Sequence, residues 1–467
     1  MNLRLSEIAL WTRGTLRGND RVVRGVATDT REALQDALFV ALKGDNFDGH
    51  DFAAKAHAAG AVALLVAKPA AVDLPQVVVP DTLLALGDLA SHVRAQHRAR
   101  VVGITGSNGK TTVKTLIASI LALHGKTHVN AGNFNNEIGL PLSLLAMPDD
   151  TEYAVFEMGA GKPGDIDYLA AIARPEIGLV NNIGPAHLER MGSLEGVVET
   201  KGALYAALPA HGVAVINADE PFADLFAGMN RAERTIRFGF GEEPNAIDVD
   251  VGVKIHTLGA SSHFALCTRV GDVDVALPLA GRHNVANAMA AASIALALDV
   301  PLTTIKRGLE TVAVVKGRLV RHAMRGGWTL IDDSYNANPA STAAAIATLK
   351  IEPAEAWLVL GDMRELGLQA RALHAQTGAL AKRSGIARLY TVGDMSDAAT
   401  VAFGEGARHF ADREALAHAL AAEVHAGINV LVKGSRGSAM ERIVEILLAG
   451  NVDAPDKNGN GGARHAA

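Results

Sequence analysis

The stretch Gly103-Ile-Thr-Gly-Ser-Asn-Gly109-Lys110-Thr111-Thr112 fits G-x-x-x-x-G-K-[ST], the pattern of a loop that cradles phosphates. Its glycines let backbone N–H groups converge on phosphate oxygens, Lys110 can reach the β- and γ-phosphates, and the Thr111 hydroxyl can ligate magnesium. Thr105, Gly106, Ser107, Asn108, Gly109, Lys110, Thr111 and Thr112 are therefore the candidate residues for a nucleoside triphosphate. Glu157 ends the apolar run that starts at Tyr153, where a carboxylate can face the same cation, because a hard cation takes oxygen ligands. His187 lies just past the run Ile177 to Val180, and a lone histidine there is more often structural than a ligand. Lys201 reads by itself as a solvated helix lysine. Lys433, Ser435 and Arg436 stand between an apolar run and a helix expected from near Ala439, a geometry that suits an anion or simple capping by Ser435.

These residues need elements that hold them. Val101, Val102 and Ile104 form a short β-branched run before the glycines, and Thr111 to Leu123 carries apolar residues at helical spacing, at Val113, Leu116, Ile117, Ile120 and Leu121. Strand, loop and helix thus come in the order the phosphate loop requires, with the helix N-terminus adding partial positive charge. Tyr153 to Phe156 and Ile177 to Val180 have the length and composition of buried parallel strands. Trp328 to Ile331, Trp357 to Leu360, Arg388 to Val392 and Asn429 to Val432 each precede a turn and a helix, which predicts a second, Rossmann-like sheet without a G-x-G-x-x-G opening. In such open sheets ligands sit outside the carboxyl ends of the strands, where the polar residues above fall.

A chain of 467 residues exceeds one ordinary core, and an α/β protein of three domains is expected. Residues 1–98 form a small α/β domain, with strands near Val22–Val26, Ala37–Leu42, Val62–Val66 and Gln76–Val79 and helices near Leu5–Trp11 and Asp51–Ala59. A helix from Thr82 to about His97 leads into residues 99–315, a central domain with a mainly parallel sheet that ends in the helix Asn284–Leu298. Lys316-Gly317-Arg318 reads as a hinge into residues 316–450, and residues 451–467 as a disordered tail. The net charge of −6 offers no basic patch to a nucleic acid. The single cysteine, Cys267, sits in an alternating strand-like run as apparent core filler and suits a reducing cytosol. The longest apolar segment, Ala288 to Leu298, is about half of what a bilayer span needs. With no signal-peptide pattern at the N-terminus, a cytoplasmic protein with no membrane span is expected.

At this point the chain resembles a family. Thr105-Gly-Ser-Asn-Gly-Lys-Thr-Thr, Ala131-Gly-Asn-Phe-Asn-Asn-Glu-Ile-Gly-Leu-Pro141, Glu157-Met-Gly-Ala, Asn181-Asn-Ile-Gly-Pro-Ala-His-Leu-Glu-Arg-Met-Gly192, Gly281-Arg-His-Asn-Val-Ala-Asn287 and Asp332-Asp-Ser-Tyr-Asn-Ala-Asn-Pro339 are similar to the Mur ligases in order and spacing. The motifs Thr28-Asp-Thr-Arg31, Phe47-Asp-Gly-His-Asp51 and Lys433-Gly-Ser-Arg436 point within that family to addition of D-alanyl-D-alanine to UDP-N-acetylmuramoyl-tripeptide. The resemblance implies ATP and two Mg²⁺ ions, one at Thr111 and Glu157, the other at His187 and a Lys201 that carries a carbamate. Carbamylation would turn an ammonium into an anionic oxygen ligand. The resemblance further implies Asn287 at adenine, Arg318 and Asp333 at phosphate and ribose, and Thr28, Asp29, Thr30, Arg31, Gly44, Asp48 and His50 at the UDP-sugar. Lys433, Ser435 and Arg436 would receive the dipeptide, and the chain would act as a monomer.

The chemistry so implied is amide formation through an acyl phosphate, with Lys110, His187 and Lys201 as its catalytic residues and closure about Lys316 to Arg318 assembling the site. A folylpolyglutamate synthase would share the ATPase core but lack the hundred or so residues that precede the phosphate loop here. A nucleotide switch would need a switch sequence in place of the ligase motifs.

Overall fold

The computed structural model describes residues 2–185, 188–241 and 249–451. The tail expected over residues 451–467 lies, beyond its first residue, outside the described residues. Contacts divide the chain into two compact units, Met1–Pro278 with Arg282–Ala313, and Leu279–Gly281 with Val314–Ala467. Both are α/β with mainly parallel sheets.

The first unit holds the two expected N-terminal segments on one continuous apolar cluster. Four parallel strands, Gly25–Ala27, Ala37–Val40, Ala63–Val66 and Gln76–Val78, line up as neighbours, with Thr15–Arg17 antiparallel at the edge. The strand expected over Val22–Val26 is two strands. Val22–Val23 pairs with Leu3–Arg4, while Gly25–Ala27 joins the larger sheet, because Arg24 between them gives its N–H to Asp36 and turns the chain across. Helix Thr82–Gln96, capped by the Asp81 carboxylate on the N–H groups of Leu83 and Leu84, then packs on helix Asp165–Ala173. At Gly87 a Cβ would lie 2.2 Å from the Tyr168 phenol oxygen, so only glycine lets the two helices approach this closely.

The central sheet has nine strands in the order Gly271–Leu277, Ser262–Thr268, Val251–Leu258, Arg234–Phe238, Val213–Asn217, Ile177–Val180, Arg100–Thr105, Tyr153–Glu157, Thr127–Val129. All pairs are parallel except the two hairpins at the Gly271 end. Strand Arg100–Thr105 is central and buried, as its run of valines and isoleucine requires, and helices Lys110–Leu121 and Arg282–Ala297 pack together against this sheet. Cys267 lies in strand Ser262–Thr268 as expected, but it is partly exposed rather than core, because that strand belongs to the antiparallel end of the sheet.

The second unit has six strands in the order Val320–Met324, Trp328–Asp333, Ile428–Lys433, Glu355–Gly361, Arg388–Val392, Ala407–Phe410, parallel apart from the first. Helices cover both faces, in separate apolar clusters around Val430 and Leu431, whose side chains alternate between them. Gly317, in the expected hinge, takes φ +73 and packs on Tyr335, where a Cβ would meet backbone at 3.1 Å. Among the described residues no helix is long and apolar enough to cross a membrane.

Candidate functional site

The phosphate loop leaves the carboxyl end of strand Arg100–Thr105 and enters helix Lys110–Leu121 through Gly109, which caps it in the left-handed region at φ +78. A Cβ on Gly109 would stand 2.6 Å from both Asn181 Nδ2 and Asn287 Oδ1, so the glycine is required by shape as well as by backbone angle. The loop is braced from strand Ile177–Val180. Asn182 accepts the N–H groups of Ser107 and Asn108, through its carbonyl at 2.9 Å and its side chain at 2.8 Å. The Asn181 amide donates to the Asn108 carbonyl and to Asn287 Oδ1, both at 3.0 Å. Lys110 rests its ammonium on the Gly106 carbonyl at 2.7 Å. The Thr105 hydroxyl is buried without a hydrogen-bond partner.

Asn287, expected at adenine, is buried on helix Arg282–Ala297, and its amide is engaged by Asn181 and by Asn284 at 3.1 Å. Through Asn181 it also supports the loop from behind. Asn181 and Asn182 open one of the motifs that carry the family resemblance, but the sequence assigns neither a role; the signal available for one was a polar pair directly after a buried apolar run.

Thr111 donates to Glu157 Oε2 at 2.9 Å, which brings the two expected magnesium ligands together as an adjacent pair of oxygen donors. Lys114, one helical turn past Lys110 and buried, lies 3.6 Å from the same oxygen and donates to the Asn130 carbonyl at 2.8 Å. Asn135 donates to Glu157 Oε1 at 2.8 Å. Burial works to raise the Glu157 carboxyl, but the charges of Lys110 and Lys114 and the two side-chain donors outweigh it and hold the group below the usual glutamate range. The acid is thus kept anionic for a cation. Lys114 and Asn135 were not singled out from sequence, although a lysine inside a helix's apolar stripe was a readable sign.

Lys201 lies on helix Leu194–Ala206 and is about 1% exposed, which corrects its reading as a solvated helix lysine. Among the described residues its ammonium has no hydrogen bond or ion pair. Burial first, and the positive charge of Lys110 second, push its pKa well below the ordinary lysine value. One turn on, the buried Tyr205 phenol accepts the Val180 N–H at 3.0 Å and donates to the Val215 carbonyl at 2.7 Å, pinning this helix beneath the strand that leads to Asn181. His187 lies outside the described residues. Among those described, no group of three or more histidine, cysteine, aspartate or glutamate side chains is arranged to hold a metal.

The N-terminal candidates gather at one edge. Thr28, Asp29, Thr30 and Arg31 follow strand Gly25–Ala27, and Gly44, Asp48 and His50 follow its parallel neighbour Ala37–Val40. Asp29 binds the Arg31 guanidinium at 2.5 Å, and that hydrogen bond pulls its carboxyl down to about 2. His50 donates from Nδ1 to Asp48 at 2.5 Å and accepts the Ala67 N–H on Nε2 at 2.8 Å. Nδ1 is thereby used within the loop and Nε2 on the residue after strand Ala63–Val66, so His50 ties the loop to that neighbouring strand end.

In the second unit Asp333 and Lys433 end neighbouring parallel strands in register and form a buried ion pair of 2.6 Å, with Lys433 also donating to the Asn336 carbonyl at 3.0 Å. The residues assigned from sequence to ribose and to dipeptide therefore belong to one patch. Arg318 and Arg436 both place guanidinium groups over the Tyr335 ring, at 4.3 and 5.5 Å from its centroid. Ser435 does not cap a helix: its hydroxyl donates to the Asp362 carbonyl at 2.6 Å, and the helix begins only at Glu441, after a short turn over Arg436–Ser438.

With this geometry in view, the match to known proteins is informative along the whole chain. The Mur ligase family catalytic domain matches residues 22–94, the Mur ligase middle domain residues 104–295, and the Mur ligase glutamate ligase domain residues 317–436. The chain belongs to the Mur ligase family and has its three-domain architecture. It is 45% identical to the UDP-N-acetylmuramoyl-tripeptide–D-alanyl-D-alanine ligase of Escherichia coli strain K12 over 451 residues, 96% of this chain and 98% of that one. The crystal structure of MurF from Acinetobacter baumannii superposes with a TM-score of 0.89 at 33% identity, covering 96% of this chain and 99% of that chain. The MurF ligase of Thermotoga maritima in complex with ADP follows at 0.79 and 28%, covering 91% and 97%.

Proposed function

We propose that this protein is an ATP-dependent amide ligase that joins D-alanyl-D-alanine to UDP-N-acetylmuramoyl-tripeptide, completing the muramoyl-pentapeptide precursor of peptidoglycan. The observation that carries the reading is the 45% identity to the Escherichia coli ligase over nearly the full length of both chains. A phosphate loop, an anionic Glu157 beside Thr111 and a buried Lys201 are the parts such a reaction needs.

A carboxylate resists attack by an amine because its charge is delocalised and oxide is a poor leaving group. In the proposed reaction the terminal carboxylate of the tripeptide attacks the γ-phosphorus of ATP, forming an acyl phosphate and releasing ADP. The free amine of the dipeptide then attacks the acyl carbon, the amide bond forms, and inorganic phosphate and a proton leave. Lys110 swings from the Gly106 carbonyl to the phosphates, and the loop N–H groups hold the oxygens on which charge develops. Thr111 and Glu157 supply hard oxygen donors that fit magnesium, which when bound would neutralise charge on the transferring phosphoryl group.

The carbamate belongs to the same reading. Carbon dioxide adds to a neutral amine and not to an ammonium, and burial without a partner shifts Lys201 toward that neutral form. With His187, the resulting carbamate would offer a second cation an anionic ligand. Thr28, Asp29, Thr30, Arg31, Gly44, Asp48 and His50 would receive the UDP-sugar, Asn287, Arg318 and Asp333 the nucleotide, and Lys433, Ser435 and Arg436 the dipeptide. The reading places the reaction in the cytoplasm, where nucleotide-linked precursors are made, and lets one chain carry it.

Trapping tests the mechanism. With ATP and the tripeptide substrate but no dipeptide, hydroxylamine should capture the activated carboxyl as a hydroxamate. Failure to capture any, from enzyme that turns over when the dipeptide is added, would remove the acyl phosphate from the account.

A further inference from the structure

The loop after strand Glu355–Gly361, at the carboxyl end of the second unit's sheet, carries Arg364. Its backbone is fixed from several directions. The Asp362 carbonyl accepts the Ser435 N–H at 3.0 Å, the Ser435 hydroxyl at 2.6 Å and the Ser438 hydroxyl at 2.8 Å, which ties this loop to the one after Lys433. The Asp362 carboxylate accepts the N–H groups of Met395 and Ser396 at 3.1 and 2.9 Å. Next in line, Met363 is buried and gives its N–H to Nε2 of the buried His374 at 2.9 Å, while His374 Nδ1 donates to the Ala370 carbonyl at 2.7 Å.

On this held backbone the Arg364 guanidinium lies flat against Gly437. A Cβ at Gly437 would meet Nη1, Cζ and Nε at 2.6, 2.8 and 2.9 Å; three such similar distances mean the face of the group covers the glycine. Any side chain at position 437 would displace it. Arg436, the residue before, has its guanidinium over the Tyr335 ring. Both arginines are exposed, and among the described residues neither side chain has a hydrogen bond or an ion pair. Each is anchored by its face, so its N–H edges remain available, and those edges match a carboxylate in bidentate fashion. Two neighbouring cations without a counter-charge attract an anion.

We infer that Arg364 acts with Arg436 to bind the C-terminal carboxylate of the dipeptide. The inference rests on the dipeptide-ligase reading given above. Held by that end, the dipeptide would present its amine away from the arginine pair, toward the carbon it must attack. Nucleotide phosphates offer a similar anion, and the kinetic test separates the two sources.

The experiment is steady-state kinetics of the full chain with D-alanyl-D-alanine and with its C-terminal amide, for the wild type, Arg364→Ala and Arg364→Lys. Wild type should prefer the acid over the amide. Arg364→Ala should raise the KM for the acid about tenfold to a hundredfold, the range for losing a hydrogen bond to a charged group, and shrink the acid-to-amide preference by the same factor. Its KM values for ATP and the tripeptide substrate should not move, which also shows that the variant is folded. Arg364→Lys should recover part of the loss. An undiminished acid-to-amide preference in Arg364→Ala would overturn the inference, and so would an effect confined to the KM for ATP. If wild type itself couples neither dipeptide, the ligase reading has failed before any variant is compared.

Discussion

Thr111, in the first turn of helix Lys110–Leu121, and Glu157, at the end of strand Tyr153–Glu157, meet at 2.9 Å, hydroxyl to carboxylate, beside the phosphate loop. The pairing follows from register: Glu157 stands opposite Ile104, one residue before the end of the strand from which the loop departs. Replacing Glu157 by Gln should lower kcat by about 10²-fold or more, as loss of a group that organises charge at the phosphoryl centre does. It should also destabilise the fold by about 1–3 kcal/mol, because Lys114 loses its buried counter-charge. Turnover and thermal melting of the same preparation read both effects, and a variant with wild-type kcat would exclude Glu157 from the site.

The steric argument at Gly109 gives a sharper contrast. Gly109→Ala drives a Cβ into Asn181 and Asn287 and strains a positive φ, so ATP affinity should fall at least about tenfold if the collision costs 1.4 kcal/mol or more. Gly228→Ala, in a helix with nothing within 4 Å, should leave ATP binding unchanged. Calorimetric titration with ATP compares the two; equal affinities would mean the asparagine brace is not rigid.

Lys201 makes a pH prediction whose sign can be worked out. In the unfolded chain this lysine holds a proton up to the ordinary range near 10.5, whereas in the folded chain its pKa is well below that. Folding therefore expels a proton in the pH range between the lowered value and the ordinary one, and this residue's contribution to stability becomes more favourable as pH rises toward the ordinary range. Lys201→Met, which stays buried and never ionises, should melt higher than wild type at pH 7 in bicarbonate-free buffer, by a margin that shrinks as pH approaches 10. Activity should be lost in Lys201→Ala and partly restored by small carboxylic acids. Full activity without such rescue would contradict the carbamate.

The Asp333–Lys433 pair predicts coupling between residues expected at different substrates, nucleotide and dipeptide. The cycle of Asp333→Asn, Lys433→Met and the double variant should show an interaction of about 0.5–3 kcal/mol in stability, as residues in one buried network do. Additive effects would mean the pair is not the unit the structure shows.

The fold was largely legible where local sequence and burial agree. The strand Arg100–Thr105, the glycine-rich turn and the helix Lys110–Leu121 fall where β-branching and helical spacing put them. The break at Arg24 was not readable, because it depends on a hydrogen bond to Asp36, made only once the sheet exists. Of the site, Thr111 and Glu157 could be paired from strand-end logic. Asn181, Asn182 and Lys114 could not be ranked, since what distinguishes them is the partner each meets across the sheet. Lys201 looked exposed because helical periodicity places a residue on a face without saying what covers it, and here that face is almost wholly buried. Arg364 carried no signal at all, as its packing depends on a glycine 73 positions away in the chain.

The most direct test is phosphate release from ATP by the purified full chain, measured with each organic substrate alone and with both. The account predicts sustained release only when UDP-N-acetylmuramoyl-tripeptide and D-alanyl-D-alanine are both present, one phosphate for each amide bond formed. Steady release that needs neither, or release with both but no new amide, would contradict it.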